Sequence, residues 1–184
     1  MPCAPTLAPV TPEAADAALF DGGLALEAAL RAAVIAGPLP PGALEAAERL
    51  LQDIAGIEER RGDESDAAHP GDPLLRRLEA KLDLALQLFA HALPHLGGPP
   101  PQRARIGVRG LRLKGDAGIA DAAVLRWQPA EALPLCLHLP VRRHHAEGAH
   151  DWWALEPLPQ GLEDALSRHL FRLHRRELAA QRRR

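Results

Sequence analysis

The chain has no tyrosine, and only three tryptophans and three phenylalanines stand among its 184 residues. Large aromatic side chains are the usual filling of a big core or interface. Here the apolar content is mostly alanine and leucine, which favours helix packing on helix over a large enzyme cavity. The same scarcity removes the stacking platform that single-stranded nucleic acid needs. Cysteine is nearly absent: Cys3 and Cys136 set no spaced disulfide framework and argue for no oxidising compartment. No stretch reaches the roughly 18 uninterrupted apolar residues of a spanning helix. The N-terminus lacks a basic region followed by an apolar core, so it is no secretory signal. The expectation is a cytoplasmic protein without membrane insertion. Catalytic signatures are missing as well. There is no Gly-x-Ser-x-Gly, no phosphate loop and no His-Glu-x-x-His, and the serines are Ser65 in a linker and Ser167 in the last helix. No enzyme and no cofactor are expected.

Charge of one sign is missing from each half. Residues 1–99 carry 7 Lys+Arg against 15 Asp+Glu, and residues 100–184 carry 15 against 9, so the halves stand at -8 and +6. Two modules are expected from this asymmetry. The division is a flexible tail over 1–10, a helical module over 11–99 and a barrel with a closing helix over 100–184.

Within the first half, Thr11-Pro12-Glu13 opens a short helix, with an N-cap, a first-position proline and an acid at the positive dipole end. A second helix is predicted over Leu24–Ala36, stopped by Gly37-Pro38. A third carries Ala43, Ala47, Leu50, Ile54 and Ile57 at spacings of four and three. Residues 61–72 read as a loop. Asp72-Pro73 then starts the strongest helix, which runs to Leu93 before Pro94 and Gly97-Gly98-Pro99. Its heptad-like stripe is Leu75, Leu78, Leu82, Leu86, Phe89 and Leu93, with Leu74, Leu84 and Leu88 on adjoining faces. A helix apolar over more than one stripe must bury more than one face. One stripe can pack on the Ala43–Ile57 helix of the same chain, and the remainder needs another chain. The expected state is a homo-oligomer, a tetramer in preference to a dimer, because leucines without a buried Asn or Lys favour higher order than two.

From Gln102 the apolar period changes to two. Predicted strands are Arg105–Val108, Gly110–Lys114, Ala123–Gln128, Leu133–Val141 and Asp151–Leu158, a small antiparallel barrel or curled sheet. Pro134 and Pro140 mark the fourth as an edge or an interrupted strand. A last helix follows over Leu162 to about Ala180. The fold class is α+β.

In the stretch Arg105-Ile106-Gly107-Val108-Arg109-Gly110-Leu111-Arg112-Leu113 the alternation slips phase at Gly110, as at a glycine bend or bulge. It resembles the signature strand of the PilZ family, small β-barrels known for binding cyclic di-GMP, whose pattern is Asp/Asn-x-Ser-x-x-Gly. Gly110 fills the glycine slot, while Arg105 stands in the acidic slot and Gly107 in the serine slot. Leu166-Ser167-Arg168-His169-Leu170-Phe171-Arg172-Leu173-His174-Arg175-Arg176 is similar to the Leu-x-Arg-Tyr-Ile-Phe-x-x-Gln-Arg helix that ends many PilZ chains. The resemblance covers about the last 80 residues and implies an atypical PilZ protein in bacterial signalling or motility control. It also implies cations from an Arg-x-x-x-Arg stretch upstream of the signature. Upstream there is only Arg77-x-x-x-Lys81, inside the long helix, and Arg105-x-x-x-Arg109 lies within the signature itself. Nucleotide binding is therefore not expected, although Arg105 and Arg109 leave a residual route open.

Other constellations are weaker. Cys136 and His138 share a strand face, but His144 and His145 fall in a loop near His150 without a second close pair, so solvated histidines are expected in place of a metal site. Trp152 and Trp153 alternate across the last strand, which predicts one buried and one exposed as contact surface. Arg168, Arg172, Arg175 and Arg176 form a row on the last helix that suits an unidentified signalling or motility protein. The alternative is a nucleic-acid-binding module using that helix and Arg182-Arg183-Arg184. It lacks interleaved aromatics, so nucleic acid is the less favoured partner.

Overall fold

A computed structural model describes residues 11–66, 98–115, 118–130 and 133–182, together with eight helical positions between 74 and 88. The elements in chain order are α1 (Pro12–Phe20), β1 (Ala25–Ile35), α2 (Ala43–Asp66), β2 (Gln102–Gly107), β3 (Gly110–Lys114), β4 (Ala122–Gln128), β5 (Leu137–Glu147), β6 (His150–Leu155) and α3 (Gln160–Gln181). Six strands close a barrel in the order β1-β2-β3-β6-β5-β4. Every pairing is antiparallel. The α+β class with a small antiparallel barrel and a C-terminal helix stands.

The sixth strand is the main correction. The helix expected over Leu24–Ala36 is β1. Alanine favours a helix by fractions of a kcal/mol per residue, yet both edges of this segment are paired. Ala25–Leu30 run against β2 and Arg31–Ile35 against β4, which closes the barrel. Leu26, Leu30, Ala32 and Val34 are buried with period two. Two-sided pairing and burial override the local preference. The barrel thus draws a strand from before the expected boundary at 99/100.

Two further boundaries move. The loop expected over 61–72 is helical as far as Asp66, the end of α2. β5 begins at Leu137, because Leu133 is held in the preceding turn, where its carbonyl accepts from Gln128 Nε2 at 2.9 Å. Pro140 marks no edge. Its carbonyl accepts from Glu156 N at 3.0 Å, and its missing N–H falls on that same side, past the last β5–β6 pair at Val141 and Leu155.

The core lies inside the barrel and under one mouth of it. Leu111, Leu125, Leu139, Trp127 and Trp153 fill the interior, while Leu51 of α2 and Leu162, Leu166 and Leu170 of α3 close over it. α2 spends Ala43, Ala47, Leu51 and Ile54 on this contact. Of the expected stripe on this helix, Ala43, Ala47 and Ile54 are buried, while Leu50 is half-buried and Ile57 is exposed. A second apolar cluster stands apart from the first: Ala15, Leu19 and Phe20 of α1 against Trp152 on the outer surface of β6.

Candidate functional site

The signature stretch forms a hairpin. β2 and β3 pair at Arg105 with Arg112 and at Ile106 with Leu111, and Val108-Arg109 makes the turn. The phase slip at Gly110 is this reversal of direction and not a bulge within one strand. Ile106, Leu111 and Leu113 point into the barrel, which leaves Arg105, Gly107, Gly110 and Arg112 on the outer face. Register extends that face: Arg112 pairs with Trp152 and Trp152 with His145. One cross-strand row therefore reads Arg105, Arg112, Trp152, His145.

α1 lies on this row. Thr11 caps it, its Oγ1 accepting from Ala14 N at 3.3 Å, and Pro12 fixes its first turn. The helix presents Asp16 to the sheet beside Ala15, Leu19 and Phe20. The Asp16 carboxylate accepts from Arg105 Nη1 at 2.7 Å, Arg112 Nη1 at 3.0 Å and Trp152 Nε1 at 2.6 Å. The Arg105 guanidinium also lies 4.5 Å from the centre of the Phe20 ring, a favourable cation–π placement. Arg109 donates to the carbonyl of Asp21 and fastens the far end of the helix.

All three signature slots lie on this face. Arg105, in the acidic slot, offers no acceptor for a guanine edge, and its charge is already matched by Asp16. Gly107 supplies no hydroxyl. A Cβ there would sit 3.3 Å from Phe20 Cδ1 and 3.2 Å from the Leu24 carbonyl, so the serine slot is packed beneath the chain's own N-terminal segment. Arg109, the second cation of the residual route, is turned to Asp21. Asp16 and Phe20 were not singled out from sequence. The available signal was an acid flanked at helical spacing by Ala15, Leu19 and Phe20, which put a charge on the buried side of α1.

The tryptophan pair departs from expectation: both are buried, Trp152 at 4% and Trp153 at 0%. Strand alternation does place them on opposite faces, but α1 covers the outer one. Neither is a contact surface in this state.

On α3 the arginine row divides. Arg168 and Arg175 are exposed, whereas Arg172 and Arg176 reach Glu58 of α2 at 3.0 and 2.6 Å. Half of the proposed basic surface is thus spent inside the chain. Beside this pair opens a groove of about 910 Å3 lined by Leu26, Ile54, Trp127 and Leu173 and by the charged residues Arg31, Glu58, Arg176 and Glu177.

His169 is on the buried face of the same helix, 1% exposed, its ring edge-on to Trp127 at 5.6 Å. Neither ring nitrogen makes a hydrogen bond of good geometry, although the nearby Pro129 backbone favours the charged form. Burial lowers its pKa to about 4; Glu58 opposes the shift, and Arg172 and Arg176 add to it. The unfolded chain therefore takes up the proton first as pH falls. Stability is full above pH 6.5 and is lost progressively toward pH 4, by roughly 3 kcal/mol for this group. Urea unfolding at pH 7.5 and pH 4 should show the wild type losing about that much more than His169→Leu. Equal losses would contradict it.

The histidines expected in a loop are on strands. His144 sits at the β5 irregularity between Arg143 and His145. His145 lies 3.2 Å from Glu147, and its ring is 5.2 Å from that of Trp152, while the His150 ring stands 6.3 Å from Trp152. His138 is half-buried, with its pKa lowered by burial and by the Arg126 charge. Among the described residues no group of three or more His, Cys, Asp or Glu could hold a metal ion.

Of the expected oligomer stripe, Leu78 and Leu82 are described. Both are helical and 56% exposed, and Leu74, Leu84 and Leu88 beside them are exposed too. Leu75, Leu86, Phe89 and Leu93 lie outside the described residues, as does the tail over 1–10. No helix among the described residues is long and apolar enough to cross a membrane.

A closed six-stranded antiparallel barrel with a helix folded over its mouth, and a glycine-bearing β2–β3 hairpin on its outer wall, defines the PilZ class. The family model for the atypical PilZ domain, a cyclic di-GMP receptor, matches residues 51–183, and the chain belongs to that family. Among solved structures it is similar to a pathogenic protein from Xanthomonas campestris, described as a new tetrameric PilZ domain self-assembled via an unusual helical bundle. The two are 33% identical with a TM-score of 0.74, over 91% of this chain and 97% of the other. No curated protein matches.

Proposed function

We propose that this atypical PilZ protein is a non-enzymatic adaptor in bacterial signalling or motility control. It acts in the cytoplasm through protein contacts, as a homo-oligomer that does not bind cyclic di-GMP. The observation that carries the reading is Arg105 in the acidic slot, joined at 2.7 Å to Asp16. The family's receptor role needs acceptors and free cations on this face, and here Arg105 has replaced an acceptor, while Arg105, Arg109 and Arg112 are all engaged within the chain. Each hydrogen bond lost to a guanine polar group costs about 1–3 kcal/mol, so the missing acceptor and hydroxyl together lower affinity by a factor on the order of 30 or more. Calorimetric titration with cyclic di-GMP at tens of micromolar protein should give no binding heat. A dissociation constant in the low micromolar range would overturn this part.

Assembly as a tetramer, through the helix between residues 73 and 93, has two supports. The helical leucines Leu74, Leu78, Leu82, Leu84 and Leu88 are exposed in the single chain. The Xanthomonas campestris protein, a third identical over nearly its full length, is tetrameric through a helical bundle. Contiguous exposed leucine on a soluble chain marks an interaction surface.

A further inference from the structure

The carboxylate of Asp16 is held as a bound ligand would be. Two guanidinium groups and an indole N–H converge on it within 2.6–3.0 Å, a charge-assisted seat for an anion. Three observations set α1 apart from the body it covers. Its nine residues are fewer than a helix needs to persist alone in water. Its apolar side chains belong to a cluster separate from the barrel core, so its removal leaves that core intact. It is tethered through Asp21-Gly22-Gly23, where Gly22 has φ +74°, a conformation glycine adopts without strain.

We infer that α1 is a displaceable latch, and that the β2–β3–β6 face beneath it docks an acidic amphipathic helix of a partner protein. The latch states the chemistry of what replaces it: an aspartate for Arg105, Arg112 and Trp152, followed three and four residues later by Leu and Phe. Those two side chains occupy the places of Leu19 over Gly110 and Phe20 under Arg105. Charge complementarity favours such a segment, because Arg103, Arg105, Arg109 and Arg112 cluster on the hairpin. Within the chain they are answered by Asp16, by Glu27, which lies 2.8 Å from Arg103, and by the Asp21 carbonyl. The docked partner leaves α1 exposed, so the state of the latch reports occupancy. This deepens the adaptor reading and rests on it for the existence of a partner.

The test uses the full chain and a fluorescein-labelled peptide of residues 11–21, Thr-Pro-Glu-Ala-Ala-Asp-Ala-Ala-Leu-Phe-Asp, followed by fluorescence anisotropy. Asp16→Lys repels the resident helix from Arg105 and Arg112 and should bind the peptide at least tenfold more tightly than the wild type. Adding Arg105→Gln and Arg112→Gln to that variant, or asparagine for the aspartate at the sixth peptide position, should abolish the gain. If Asp16→Lys fails to fold by circular dichroism, Asp16→Asn decides, with at least a threefold gain expected. A folded variant that binds no better than wild type overturns the proposal. Unlabelled wild-type chain competing as strongly as free peptide would make a second copy the occupant and overturn the partner assignment. Tighter binding of sodium pyrophosphate than of peptide would make the face a phosphate seat and overturn it likewise. None of these failures touches the cyclic di-GMP titration or the subunit count, on which the adaptor reading stands separately.

Discussion

A chain carrying Leu78→Glu and Leu82→Glu is expected to sediment as one or two subunits where the wild type runs near four times 19.8 kDa. Both leucines are 56% exposed on a helix in the isolated chain. Covering that remainder would contribute about 1–1.5 kcal/mol per side chain, or about 8–12 kcal/mol over a tetramer. Association costs of comparable size are set against this, so a bundle can ill spare these contacts. Each glutamate also brings a charge to a surface that excludes water, a further penalty of several kcal/mol when buried unpaired. The barrel should be unaffected, since its core and α2 draw on other residues. Sedimentation equilibrium at tens of micromolar checks the mass, and near-ultraviolet circular dichroism checks the barrel tryptophans. A monomeric wild type, or a double variant of unchanged mass, would sink the assembly proposal.

How far the sequence could be read depended on whether local pattern and tertiary demand agreed. They agreed in the last helix, where Leu162, Leu166 and Leu170 recur every four residues and are all buried. They agreed again in the hairpin around Gly110, whose alternation survives on both sides of the turn. They disagreed in β1. Its alanines fit either structure, and only pairing with β2 and β4, distant in sequence, decides between them. The same non-local effect hid the site. One of Trp152 and Trp153 reads as an exposed contact residue until α1, more than 130 positions earlier, is laid over Trp152. Arg105 was legible as a departure from the PilZ pattern, but its partner Asp16 stood in a helix too short and too weakly patterned to suggest a role. Arg172 and Arg176 looked outward for a similar reason: Glu58 lies on another helix, and periodicity carries no information about what faces an element.

Gly110→Val is expected to destabilise the fold by at least about 3 kcal/mol, toward the upper end for overpacking of a tight site. For a chain of this length that lowers the melting temperature by roughly 6–12 °C. The cause is contact and not backbone conformation, because Gly110 does not have a positive φ. A Cβ at this position would stand 2.4 Å from the Trp153 carbonyl oxygen and 3.0 Å from Leu19 Cδ2. Leu19 can turn away. The carbonyl cannot, since Gly110 is paired with Ala154, Leu111 is paired with Trp153, and Leu155 N donates to the Arg109 carbonyl at 2.9 Å. Gly110→Ala should therefore be damaging as well, and Leu19→Ala should not rescue either variant. Gly23→Ala provides the control, because its Cβ would meet nothing nearer than Val108 Cγ2 at 3.9 Å. Subunit number should not change in any of them, since the exposed leucines lie on a helix that includes neither glycine. Thermal unfolding followed by circular dichroism decides the matter. An unchanged melting temperature for Gly110→Ala would mean that strands β3 and β6 can separate at this point, and that the glycine slot of the signature is held by something other than the close approach of Trp153.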